Sequence, residues 1–261
     1  FGLIRTKLII LIYRIPEPAS FWKFHNLHLS AFILSAYDGV NCLTKKTEND
    51  LVSLLGNHKE IEYIPWCTDD RLFVNKNESE PIYFFSSGKT NRDYTTLLDS
   101  IQQLSEKKFL LIGHFPKTKI VNEIPNLIII HSDKNQTDTA IPYRSLVKHY
   151  SEAIAVCISL NGDPNDTCGY TEMLEAMAMR KPVLMTRSGC LHIDPESGGF
   201  GKLIEPKNYK GWASAMNDLI ENKEVAQTLG ENGRNIAERD FTIERFNRDI
   251  VCYIQESLND T

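Results

Sequence analysis

No two cysteines in this sequence stand at C-x-x-C spacing; the six fall at positions 42, 67, 157, 168, 190 and 252. That scatter fits neither a zinc site nor a disulfide framework, and it suits a reducing compartment. Long hydrophobic runs are missing as well. The longest, Leu8 to Tyr13, is stopped by Arg14 and Pro16, far short of the roughly 20 residues that a membrane-spanning helix needs. No small-residue cleavage site follows it, so it does not read as a signal peptide. A basic excess is absent too: 34 Asp and Glu stand against 29 Lys and Arg, a net charge of −5, which argues against a partner built of nucleic-acid phosphates. Glycine (14) and proline (11) are modest in 261 residues of which 42% are hydrophobic, so collagen-like, low-complexity and disordered chains are excluded. An initiating Met is also lacking: residue 1 is Phe, and the expectation is a chain that begins in the middle of something longer. The length allows one large or two small domains.

What is present is a regular alternation of strand-like and helix-like segments. Strands are expected at 7–13, 39–43, 61–64, 82–85, 109–112, 127–130, 154–160 and 182–186, and helices at 19–36, 45–56, 92–105, 143–152, 170–180, 208–221, 223–239 and 242–258. Tyr94, Leu97, Leu98, Ile101 and Leu104 share one helical face. The last helix shows Ile243, Phe246, Ile250 and Ile254 as its apolar stripe. Short continuous apolar runs such as Phe109 to Ile112 suit strands buried on both faces. Strands alternating with helices mean βαβ crossovers and a mostly parallel sheet. The polar run Asn75 to Glu80 reads as a linker.

Gly88-Lys89-Thr90 after a strand looks like the end of a P-loop, but the glycine required five positions earlier is Tyr83, so the phosphate cradle cannot form in the usual way. What survives is a glycine at the carboxyl end of a strand with two cations, Lys89 and Arg92, just beyond it. Ligands of open α/β sheets sit at that end, and two cations beside a helix N-terminus can hold a diphosphate without a metal. A plain strand-to-helix turn with exposed cations is the alternative.

The segment from Thr167 to Val183 reads as a helix that packs Leu174, Met177 and Ala178 inward and stops before Pro182. That leaves Glu175 unexplained, since its neighbours read as core and an unpaired buried carboxylate is expensive. Two ribose hydroxyls would be suitable donors to it. Gly169 would let the backbone approach a ligand closely, and the helix N-terminus would favour phosphate.

Taken together, Gly88-Lys89-Thr90-Asn91-Arg92-Asp93-Tyr94, Gly169-Tyr170-Thr171-Glu172-Met173-Leu174-Glu175-Ala176-Met177-Ala178 and Lys181-Pro182-Val183 resemble glycosyltransferase family 4, of the GT-B fold. Further landmarks follow in the family's order. Ile64-Pro65-Trp66-Cys67-Thr68-Asp69 through Phe73 resembles the I-P-x-G-V-D-x-x-x-F hinge, and Gly201 to Pro206 resembles the G-x-L-V-x-P strand. Leu229-Gly230, Gly233-Arg234 and Phe241-Thr242 resemble the closing helical segment.

The resemblance implies a GT-B α/β fold: a Rossmann-like, doubly wound parallel sheet with helices on both faces, plus part of a second Rossmann-like domain. It divides the chain into a remnant of the N-terminal acceptor-side domain (1–66), a hinge (67–80), the nucleotide-sugar-binding domain (81–240) and a C-terminal helix packing back toward the N-terminal domain (241–261). Position by position, it puts the donor diphosphate on Gly88, Lys89 and Arg92 and the ribose on Glu175, these last three side chains carrying the chemistry. Gly169, Tyr170 and Thr171 fall where loop and helix meet diphosphate and sugar. The family's first Glu of E-x7-E falls on Thr167 here, with Asp166 beside it; Asp166-x-x-Gly169 keeps the E-x-x-G spacing, as a one-residue insertion after the glycine would. The family's order Arg then Lys is Lys then Arg, its glycine before Lys181 is Arg180, and its hinge glycine is Cys67.

The activity so implied is sugar transfer from a nucleotide-diphospho-sugar to the hydroxyl of a carbohydrate or lipid-linked acceptor, with no metal, no cofactor and no nucleic acid. The implied setting is the cytoplasm, with room for peripheral association at the membrane face. The rival readings are a non-catalytic or truncated homologue and a sugar-nucleotide epimerase of GT-B fold. His25 and His28 sit among apolar residues and read as structural. Cys190 and His192 lack companions at zinc spacing. The sequons at Asn77, Asn135, Asn165 and Asn259 matter only in a secreted chain.

Overall fold

The computed structural model describes residues 7–13, 29–56, 60–75, 80–113, 124–131, 141–163, 167–188 and 193–259. The chain divides into two compact units, Cys67–Thr242 and Phe1–Trp66 with Ile243–Thr261.

The smaller unit begins with β1 (Ile9–Ile12), α1 (Leu29–Ser35), β2 (Gly39–Cys42), α2 (Lys45–Leu55) and β3 (Glu60–Tyr63), and closes with the chain's last helix, Ile243–Asn259. Its three strands are parallel in the order β1-β2-β3. Ile12, Leu34, Val40, Cys42 and Leu51 form the core. Thr44 caps α2 by accepting from the Thr47 amide, and Gly56 ends it at φ 73°. In the last helix Tyr253 is buried and donates to the Glu60 carbonyl, while Ile254 is 39% exposed. The expected stripe therefore runs from Phe246 through Ile250 and Tyr253 to Ser257, one position off from Ile254; steps of four, three and four keep a 3.6-residue helix on one face. Of the helix expected at 19–36, residues 19–28 lie outside the described residues, His25 and His28 among them.

The larger unit holds β4 (Tyr83–Gly88), α3 (Tyr94–Ile101), β5 (Lys108–Gly113), β6 (Leu127–His131), α4 (Tyr143–Ser151), β7 (Ala153–Ile158), α5 (Tyr170–Ala178), β8 (Val183–Thr186), β9 (Gly201–Ile204), α6 (Tyr209–Glu221) and α7 (Lys223–Asp240). The last helix is thus α8. Six parallel strands lie in the order β6-β5-β4-β7-β8-β9. The chain runs outward from β4 through β5 to β6, returns beside β4 as β7, and runs outward on the other side. The period of two along β4 sends Phe84 into a core with α3 and α6, including Leu97, Ile101, Trp212 and Met216, and Phe85 to the opposite face against Tyr150 of α4. With α4 and α5 opposite α3 and α6, helices cover both faces, as a parallel sheet requires.

Several elements stop earlier than the periodicity suggests, α3 and β7 among them. α3 ends at Ile101 rather than 105, and Leu104 is buried from a turn. β7 ends at Ile158, where Leu160 instead forms an isolated antiparallel bridge with Arg92. No described helix is long and apolar enough to cross a membrane.

Candidate functional site at the strand-order reversal

Between β4 and β7 the strand order reverses, and the connections leave the two carboxyl ends in opposite directions. That divergence opens the crevice in which doubly wound sheets bind ligands. The connection from β4 to α3 is stitched across it to the end of β7. The Asp93 amide donates to the Ser159 carbonyl (3.0 Å), Ser159 Oγ to the Asp93 carbonyl (2.6 Å), and Asn161 Nδ2 to Asn91 Oδ1 (2.6 Å). Asp93 also caps α3: Oδ1 accepts from the Thr96 amide and Oδ2 from Thr96 Oγ1 and Lys207 Nζ (2.8 Å). Burial works against its charge, but the bonds from Lys207 and Thr96 prevail and hold its pKa below the ordinary value.

Gly88 is the last residue of β4, at φ 123°. A Cβ there would overlap the Arg92 guanidinium, which folds back against the glycine. The guanidinium and Glu172 of α5 are buried together, with side chains 6% and 5% exposed and 2.8 Å between Nη2 and Oε2. Arg92 Nε also donates to the Ser87 carbonyl and Nη1 to the Thr90 carbonyl. Glu172 Oε1 accepts from the Ser87 amide (2.6 Å) and Ser87 Oγ (3.0 Å). Burial raises the Glu172 pKa, and Arg92 and both Ser87 donors pull against that rise. Lys89, by contrast, is exposed and has no ion pair among the described residues.

α5 starts from Gly169 in the left-handed region (φ 86°), where a Cβ would come within 2.6 Å of Ile158 Cγ2. The N-cap residue Gly169 offers no side-chain cap, and a helix N-terminus favours an anion. Tyr170 is buried and Thr171 exposed. Along α5 every residue from Glu172 to Met179 is buried. The partner that burial demands of Glu175 is the Tyr150 hydroxyl, which donates to Oε2 at 2.7 Å; Oε1 accepts no hydrogen bond from a described residue. Burial pushes the Glu175 pKa up to about 7, Tyr150 opposing and Glu172 adding to the rise.

The structure thus joins Gly88 and Arg92 directly, and connects Arg92 to α5 through Glu172. Thr167 is half-buried just before Gly169. Asp166 lies outside the described residues, as do Cys190 and His192. No group of three His, Cys, Asp or Glu side chains that could hold a metal ion occurs among the described residues. Sequence reasoning missed Glu172, Tyr150 and Lys207. Glu172 had a usable signal, since it stands three positions before Glu175 on a helix of otherwise apolar character, so the argument made for one carboxylate applied to both. Tyr150 and Lys207 come from distant segments and carried no such mark.

Among curated proteins, an uncharacterized glycosyltransferase of Methanocaldococcus jannaschii is 25% identical over 203 residues, 77% of this chain and 55% of that protein. The capsular polysaccharide biosynthesis glycosyltransferase CapM of Staphylococcus aureus is 26% identical over 138 residues, 52% of this chain and 34% of that protein. The chain therefore spans about half of the first relative and a third of the second. Among solved structures, Anabaena HepE in complex with UDP superposes with a TM-score of 0.75 at 14% identity, covering 96% of this chain and 72% of HepE. A glycosyltransferase of Rickettsia africae gives 0.67 at 14%, covering 97% and 71%. These likenesses show the fold, the GT-B type of α/β architecture. The model of the family described as glycosyl transferases group 1 matches residues 80–222, which take in the whole strand-order reversal, and this chain belongs to that family.

Proposed function

We propose that the chain carries the donor side of a glycosyltransferase of the family 4 kind, which moves a sugar from a nucleotide-diphospho-sugar to an acceptor hydroxyl without a metal or other cofactor. The observation that carries this reading is the convergence of the Gly88–Arg92 loop and the start of α5 at one carboxyl edge. A diphosphate seated there would meet the Lys89 ammonium, the Arg92 guanidinium and the amides near Thr171. Those groups would stabilise the charge that develops on the leaving diphosphate as the glycosidic bond breaks. Glu175 Oε1, left without a donor among the described residues, suits a ribose hydroxyl; Gly169, Tyr170 and Thr171 would border the sugar, with Asp166 and Thr167 beside them. The acceptor belongs to polysaccharide, glycolipid or glycoprotein assembly, and the proposed setting is the cytoplasm, with peripheral contact at the membrane face.

Titration calorimetry with UDP, GDP, ADP and CDP tests this reading. At least one should bind, and Lys89→Ala should weaken it about tenfold at low salt and less at high salt, because that side chain is exposed. A chain that binds none of the four overturns the donor-site assignment.

A further inference from the structure

A buried ion pair is a poor way to stabilise a core, since the desolvation of both ions cancels much of their attraction and apolar residues of similar size do as well or better. The Arg92–Glu172 pair is therefore an unusual choice for the first turn of α5, whose following residues Met173, Leu174, Ala176, Met177 and Ala178 are all buried and apolar except Glu175. The bonding around it is also lopsided. Glu172 accepts from three donors, two of them on Ser87 at the end of β4, so the carboxylate is anchored to the sheet independently of Arg92. The guanidinium in turn is gripped on three sides, by Glu172 and by the Ser87 and Thr90 carbonyls. Three of its five N–H groups are thereby committed, and the Tyr94 hydroxyl lies within hydrogen-bonding reach of the guanidinium as well. A long, rotamer-rich side chain has been given one orientation over Gly88.

Resting on the reading above, in which Arg92 meets the donor diphosphate, we propose that Glu172 is a positioning residue: anchored by Ser87, it fixes the Arg92 guanidinium over Gly88 in the orientation that meets the diphosphate. The two cations then have different tasks. Lys89 supplies net charge, whereas Arg92, already neutralised by Glu172, supplies direction. Fixing the guanidinium in advance removes the ordering cost that a free arginine would incur on binding.

The test is a double-mutant cycle read by calorimetry on the full chain, using whichever of UDP, GDP, ADP and CDP binds. Glu172→Gln keeps an acceptor for Ser87 but must turn either its amide or its weaker carbonyl toward the guanidinium. It should raise the dissociation constant about tenfold, as should Arg92→Gln, and the double variant should be no worse than Arg92→Gln alone. Ser87→Ala, which keeps the amide anchor and removes the hydroxyl one together with its contact to Tyr150, should weaken binding about threefold in the wild-type background and not at all in the Arg92→Gln background; it serves if Glu172→Gln does not fold. Effects that multiply instead of merging, or single variants that bind as the wild type does, overturn the proposal while leaving the donor site standing. A wild-type chain that binds no diphosphate removes both.

Discussion

Glu175 carries a carboxylate that the fold would rather keep protonated, and this has a consequence for stability. Its pKa of about 7 in the folded chain compares with an ordinary value of 4.5. Between those values the folded state binds a proton that the unfolded state has lost, so stability falls as pH rises from 4.5 to about 7 and stays lower beyond. The cost at pH 8 is about 3 kcal/mol at most. Glu175→Gln keeps an acceptor for Tyr150 and removes the ionisation. It should stabilise the protein by about 1–3 kcal/mol at pH 8 and change little at pH 5, as read by urea denaturation at several pH values. Equal pH slopes in the two proteins would show that Glu175 does not titrate in this window. The same residue shows the reach and the limit of reading sequence. Flanking core residues announced a carboxylate in need of a donor, but nothing local could name Tyr150, 25 positions away. For Arg92 the sequence showed a cation at the right edge and not the Glu172 that already holds it.

At the scale of elements the departures are at the ends, where hydrogen bonds rather than periodicity decide. α5 closes with the Lys181 amide on the Ala176 carbonyl and the Arg180 amide on the Met177 carbonyl, the paired bonds of a Schellman motif. That motif puts Arg180 in the left-handed region, at φ 55°. This is the position where the resembling family has glycine, so the departure noted in the sequence turns out to be conformational. Arg180 has in exchange an ion pair with Glu231, both side chains nearly half exposed, a pair of small value. Arg180→Gly should therefore raise stability by about 1 kcal/mol, visible in thermal melts. At the start of α3, Asp93→Ala removes a cap that also binds Lys207, at a cost of about 1–2 kcal/mol; Asp93→Asn, which still caps, should recover about half of that. The strand and helix order was legible because parallel strands buried on both faces read as continuous apolar runs. The bridge of Arg92 to Leu160 was not, because it pairs residues 68 apart through backbone alone.

For the whole molecule, the division into Cys67–Thr242 and Phe1–Trp66 with Ile243–Thr261 sets what a melting experiment should show. Each unit buries its own core, the larger across both faces of six strands, the smaller on Ile12, Leu34, Val40, Cys42 and Leu51 behind three. A core of the second size leaves little margin against chain entropy. Calorimetry should accordingly resolve two transitions, the smaller unit melting first. The residues proposed for the donor all belong to the larger unit, so a nucleoside diphosphate at a hundred times its dissociation constant should stabilise that unit by about 2.7 kcal/mol and move the upper transition by roughly 5–10 °C. The lower transition should stay where it is. Glu175→Gln at pH 8 and Arg180→Gly should act on the same upper transition. If one transition moves as a whole with ligand, the two units unfold together. If only the lower one moves, the nucleotide binds in the smaller unit, and the assignment of the site to the reversal between β4 and β7 is wrong.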